Sequence, residues 1–233
     1  MKENKVVLTI KKVIILMVGL AIAHAGVSLF ISANLGSDPF NVFIQGLFRT
    51  ITRFLPFDFI THGRVHIVIS ILIIIILLIV DRSYIKIGTI LCMIFGGPFI
   101  DIFNKLYAPM FAHEISLAMR VMYNAMGCII LANGMSIVIK SQAGTGPNDL
   151  VALVISDKIK KKFSIVRIIV DICFAGIGFA LGGKLGIGTI ICAFLVGPVA
   201  GIMMPVYERI INKDILKIES YDPPKKEMDD LGE

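Results

Sequence analysis

Charge is scarce in this chain. Asp, Glu, Lys and Arg make up only 17% of its 233 residues, against 56% apolar residues and a mean hydropathy of +0.86. That balance excludes a soluble domain, and several uninterrupted apolar runs approach the twenty or so residues a helix needs to cross a bilayer. With most of the length committed to such runs, no room is left for a separate soluble catalytic domain. Metal-ligand clusters are missing as well. Cys92, Cys128, Cys173 and Cys192 all fall inside apolar runs, where a thiol behaves as a small hydrophobe, and no Cys/His/carboxylate spacing suited to a metal accompanies them. G-x-S-x-G, H-E-x-x-H and Walker A motifs are absent, and no nucleophile stands beside a base. The chain is therefore not expected to be an enzyme or to hold a cofactor. A net charge of +6 raises nucleic acid as a partner, but the basic residues flank the apolar runs, and membrane topology explains them more simply. The first run lacks an A-x-A-like cleavage pattern and reads as a retained span rather than a signal peptide.

What the chain does have is a duplication. Residues 26–39 read GVSLFISANLGSDP and residues 134–147 read GMSIVIKSQAGTGP, with Gly26/Gly134, Ser28/Ser136, Ile31/Ile139, Gly36/Gly144 and Pro39/Pro147 coincident at an offset of 108. Further on, IGTILCMIFGGP at 87–98 matches IGTIICAFLVGP at 187–198 at an offset of 100. Two matched blocks in the same order indicate a repeated unit of about a hundred residues. Gly and Pro dominate the matches, and these residues dictate backbone shape.

Taken in order, the chain predicts a tail over 1–12, a first membrane repeat over 13–104, a connector over 105–119, a second repeat over 120–211 and a charged, poorly ordered tail over 212–233. Spans are expected over 13–33, 64–80 and 87–103, and again over 120–139, 164–181 and 187–206. Each copy also carries a short helix after its first span, over 36–54 and 144–162. Asp38 is suited to cap the first of these, with Pro39 at its first position; Pro147 starts the second. Either short helix can lie in the interface or dip into the bilayer. Gly97-Pro98 and Gly197-Pro198 are expected to kink the third and sixth spans.

With the N-terminus inside, 17 of the 23 Lys and Arg residues fall on the cytoplasmic side, which favours both termini in the cytoplasm of a multi-pass plasma-membrane protein. Three spans per copy then oblige the two copies to insert in opposite directions. The expected fold is an all-α membrane protein of six transmembrane helices in two three-helix inverted-topology repeats, an architecture of many secondary transporters.

In such architectures the ligand site lies near the midplane, where half-helix N-termini present unpaired N–H groups. Gly36, Pro39, Gly144 and Pro147 mark those starts, which makes Ser37, Asp38, Asn41, Thr145, Asn148 and Asp149 candidate substrate-binding residues. An ordinary capped turn at the membrane surface explains them equally well. Four intramembrane ionisable residues are further candidates, namely His24, His66, Asp101 and Asp171, because such groups are costly in lipid. For Asp171 the rival reading is an ion pair with Arg167, four residues earlier on the same face. For the histidines it is hydrogen-bonded packing. Asn133 and Lys140 are weaker candidates of the same kind.

The paired blocks and the basic KIKKKFSIVR segment at 158–167 resemble the YczE/YyaS/YitT group of bacterial integral membrane proteins, nearest its YczE-like branch, over residues 13–211. The resemblance implies a multi-span architecture and no particular reaction. The expected function is a small-solute transporter in the lipid bilayer working by alternating access, with an anionic or zwitterionic solute slightly favoured by the helix N-termini. Two alternatives stand beside it: a solute-binding subunit of a larger importer, and a non-transporting accessory protein. A homo-oligomer or another membrane partner is compatible with each.

Overall fold

The computed structural model describes residues 5–36, 38–54, 60 and 62–216, without the side chains at 62–64, 101 and 214. Among these residues are eight α-helices and no strand. They are α1 (Lys5–Ser32), α2 (Pro39–Phe54), α3 (His62–Val80), α4 (Ile87–Tyr107), α5 (Leu117–Lys140), α6 (Pro147–Ile159), α7 (Phe163–Ala180) and α8 (Ile187–Arg209). Five of them, α1, α4, α5, α7 and α8, are long and apolar enough to cross a membrane. The expectation of six is not met in full. The apolar part of α3, Val65–Val80, is shorter, about 24 Å at 1.5 Å per residue against a hydrocarbon core of about 30 Å. Exposed side chains such as Ile67, Ile71, Ile75, Ile90, Ile94 and Ile190 give the outer faces of the bundle a lipid-compatible surface.

The helix boundaries follow local chemistry. Pro39 and Pro147 open α2 and α6, where a missing N–H costs nothing. Asp38 caps α2 as expected: its carboxylate accepts from the Asn41 backbone N–H at 3.1 Å and also from the Asn41 amide. α1 begins at Lys5, within the segment expected as a tail over 1–12. At Gly97-Pro98 and Gly197-Pro198, where kinks are expected, α4 and α8 each run on through the proline. A proline removes one hydrogen bond, and the turns on either side stay bonded and packed on α1 and α5, respectively, so packing carries the helix across.

The centre of the molecule is the crossing of α1 and α5. A Cβ on Gly26 would lie 2.4 Å from the Leu131 nitrogen and 2.5 Å from the Gly127 oxygen, and one on Gly134 would lie 2.2 Å from the Ala23 nitrogen and 2.6 Å from the Gly19 oxygen. Only glycine lets the backbones approach this closely, the usual device for joining helices where lipid removes the hydrophobic drive. Gly19 meets Ile137 and Val138, while Gly127 meets Gly26 and Phe30, so one index rises as the other falls. The two helices are antiparallel. Their contacts are also reciprocal: Gly26 lies against residues 127–131, and its counterpart Gly134, 108 positions on, lies against residues 19–23, the counterparts of 127–131, the signature of a two-fold relation.

The reciprocity extends to the turns. Gly36 and Gly144 have φ of +137° and +136°, a region closed to residues with a Cβ. Just before them, the Leu35 carbonyl accepts from Gly188 N–H at 3.0 Å and the Ala143 carbonyl accepts from Gly88 N–H at 2.8 Å. Each copy therefore caps the last helix of the other. The short helices exchange likewise, α2 packing on α7 and α6 on α3. The copies also differ in packing: α7 packs along α8, with Gly197 against Ser164 and Ile168, whereas α3 makes no comparable contact with α4 and no atom among the described residues lies within 4 Å of a Cβ on Gly97.

Candidate functional site

The first turn of α6 and the second turn of α7 bring three charged side chains together in the interior. Arg167 is 6% exposed, and its NH1 donates to Asp149 Oδ1 at 2.6 Å while its Nε donates to Asp171 Oδ2 at 2.9 Å. Asp171 is 1% exposed, and its second oxygen, Oδ1, has no partner among the described residues. The i, i+4 spacing on α7 makes the Arg167–Asp171 pair. The left-handed turn at Lys160 (φ +54°) makes the other one, by folding α6 back onto α7 so that Asp149 faces a residue 18 positions later. Asn148 donates to Asp149 Oδ1 at 3.0 Å. The cluster is thus built by α6 and α7, which are packed on each other.

α6 enters the interior by its N-terminus. Its last turn lies at the charged surface loop, where the Tyr84 hydroxyl donates to Asp157 at 2.9 Å and Lys158 lies 3.7 Å from Asp81. At the corresponding end of α2, Arg49 donates to the Gly182 carbonyl and Thr50 to the Leu181 carbonyl. Hydrogen bonds from Ser83 hold the Asp81 carboxyl below the usual carboxylate range. Burial, together with Asp157, pushes the Tyr84 phenol up to about 12.

The remaining candidates disperse. Asn41 is occupied in capping α2. Thr145 is 2% exposed at the α5–α6 turn, its hydroxyl without a partner among the described residues. His24 Nδ1 donates to the Leu20 carbonyl at 2.8 Å, and its ring packs on Gly96 and Phe99. His66 meets the Phe40 ring edge-on at 5.4 Å. Ser37 and the Asp101 side chain lie outside the described residues. Asn133 accepts from the Tyr207 hydroxyl, and Lys140 pairs with Glu208, so both tie α5 to α8.

Sequence reasoning missed Arg167 as a member of the site and Asn124 altogether. Asn124 is fully buried on α5 against Gly188, and neither of its polar atoms has a partner among the described residues. A signal for Arg167 existed: one hundred residues earlier, at the offset relating α4 to α8, stand the exposed Ile67 and Ile71 in place of Arg167 and Asp171. A charge pair present in one copy and apolar in the other is not required by the shared fold.

Residues 10–205 match a family of unknown function, DUF6198. The chain is 28% identical to the uncharacterized membrane protein YczE of Bacillus subtilis over 83% of its own length and 86% of the relative's. It is 27% identical to the uncharacterized protein YyaS of the same organism over 82% of its length and 92% of the relative's. An uncharacterized protein of Haemophilus influenzae is 26% identical, with 86% of each chain covered. No solved structure matches.

Proposed function

Starting from the fact that the chain belongs to the DUF6198 family and is a membrane protein, we propose that it carries a small solute across the bilayer by alternating access, with the Arg167–Asp149–Asp171 cluster as its site. The observation that carries this reading is the buried guanidinium held by two carboxylates at the start of α6. Charges buried in a membrane bundle are costly and mark solute or proton pathways. In this reading the two copies insert in opposite directions, with α3 as a short sixth crossing and α2 and α6 as half-helices entering from opposite faces. An antiparallel α1–α5 contact with reciprocal partners supports it, because a two-fold axis across such a pair turns one copy upside down relative to the other. The looser α3–α4 pair beside the tight α7–α8 pair supports alternating access, since inverted copies that adopt different packings open a site to one side.

This reading favours a solute class opposite to the one expected from helix dipoles alone. The starts of α2 and α6 already carry carboxylates of their own, Asp38 and Asp149. Two carboxylates, Asp149 and Asp171, against one guanidinium leave the cluster net negative, so a cation or a proton suits it better than an anion. No ATP-binding motif is present in the sequence, which leaves an ion gradient, facilitated flow or a partner ATPase as the source of energy. The reading assigns no bond-making chemistry to the site.

The test is a thermal-stability screen of the purified protein against organic and inorganic cations and a matched set of anions. A ligand at a hundredfold over its dissociation constant stabilises by roughly 2.7 kcal/mol. The expected result is a cationic hit that vanishes in Asp149→Asn and Asp171→Asn proteins that still purify as single species. A hit unchanged in both variants would remove the cluster from the site. Silence across the screen, with sound protein, would favour the accessory-protein reading.

A further inference from the structure

Away from that centre, a cavity of about 350 Å³ opens between the α3–α4 loop and the start of α6. Lys86, Tyr84, Gln142 and Thr145 form its polar side, and Leu150 and Leu153 belong to its apolar side. No carboxylate lines it. Lys86 donates to the Gln142 backbone carbonyl at 3.0 Å, and Lys12, from α1, donates to the Gln142 side-chain oxygen at 2.8 Å. Two ammonium groups therefore converge on one neutral residue, within electrostatic reach of each other. The nearby carboxylates are engaged elsewhere, Asp157 by Tyr84 and Asp81 by Lys158 and Ser83. Gln142 cannot rearrange freely to serve both lysines, because its backbone is left-handed (φ +61°) and its amide donates to the buried Asn212 at 3.2 Å.

Like charges held together are unfavourable, no carboxylate pairs with either lysine among the described residues, and each ammonium has three donors of which one is used among them. The buried Thr145 hydroxyl, a cavity residue without a partner among the described residues, is a further unspent donor. Symmetry does not impose this arrangement. At the matching turn of the other copy, Gly186 stands where Lys86 does. The lysine is an addition to one side only, the side that the Lys and Arg distribution assigns to the cytoplasm.

We propose that this cavity binds an oxyanion, a phosphate group carried on an apolar body, with Lys86 and Lys12 as its counter-ions and Leu150 and Leu153 against its apolar part. The same chemistry is supplied by the headgroup of an anionic phospholipid or by a soluble phosphate compound. The site is independent of whether the central cluster carries a solute.

The test uses the full-length chain in nanodiscs of phosphatidylcholine, alone, with added phosphatidylglycerol, or with millimolar inorganic phosphate. Its melting temperature is followed in the parent protein and in Lys86→Gln, Lys12→Gln, Lys86→Arg and Lys184→Gln, the last on an exposed loop of the opposite turn. The expected result is a rise in melting temperature with an anion, with a midpoint about tenfold weaker in either glutamine variant and preserved in Lys86→Arg and Lys184→Gln. A rise with phosphatidylglycerol alone identifies a lipid, and a rise with phosphate in phosphatidylcholine identifies a soluble anion. No response to either, or an equal response in the parent and both glutamine variants, would overturn the proposal. Should Lys86→Gln fail to assemble, Lys12→Gln and Lys86→Arg carry the comparison.

Discussion

Arg167 holds two carboxylates that the chain places on different helices, and its position is more demanding than theirs. Deleting one carboxylate leaves the guanidinium with a partner. Deleting the guanidinium leaves Asp149 and Asp171 facing each other in a buried site, which costs about 3–5 kcal/mol for a broken buried pair. Arg167→Ala should therefore lower the melting temperature far more than Asp149→Asn, and adding Asp149→Asn to Arg167→Ala should restore part of the loss. Melts of the purified variants check this, and strictly additive losses would contradict it. Half of the cluster was legible beforehand. The spacing of Arg167 and Asp171 is a local property of one helix. The link to Asp149 depends on a left-handed turn at Lys160, a lysine with no intrinsic preference for that conformation, so nothing in the local pattern announces it.

Between elements, the two copies can be compared at matched positions. A Cβ on Gly197 would lie 2.8 Å from the Ser164 carbonyl oxygen, whereas one on Gly97 would meet no atom among the described residues within 4 Å. Gly97→Ala should be neutral or stabilising by about 0.5–1 kcal/mol, as alanine relieves the entropy cost of glycine in a helix. Gly197→Ala should be destabilising by pushing α8 off α7. Paired melts give the sign of each effect, and equal effects would mean that the α3–α4 and α7–α8 pairs are alike after all. At this scale the sequence reading succeeded where chemistry is local: the proline-started short helices and the Asp38 cap lie where expected. α4 and α8 run on through the prolines at 98 and 198, because whether a lost hydrogen bond ends a helix depends on what packs beside it. The dense Ile and Leu run of α3 reads as a span by composition, and its apolar part, Val65–Val80, is shorter than the five long helices.

For the whole molecule, the duplication was plain in the Gly-Pro blocks, but only the structure supplies its geometry. Gly26 against residues 127–131 and Gly134 against residues 19–23 are one contact seen twice, and it runs antiparallel. The repeated glycines identify corresponding positions without telling which faces meet, since tight packing against any neighbour would select the same residue. The asymmetries, Arg167 and Asp171 in one copy and Lys86 in the other, are where the two copies depart from their shared scaffold.

The account rests on the two copies lying upside down relative to each other in the bilayer, and one measurement addresses that directly. Arg53 and Lys161 occupy matched, exposed positions near the ends of the two short helices. Single cysteines at these positions, in a background with Cys173 replaced by serine, are labelled with a membrane-impermeant maleimide in sealed, right-side-out vesicles and again after lysis. The account predicts that Arg53→Cys reacts before lysis and Lys161→Cys only after it. Labelling of both from the same side would contradict the inverted arrangement, and with it the alternating-access reading built upon it.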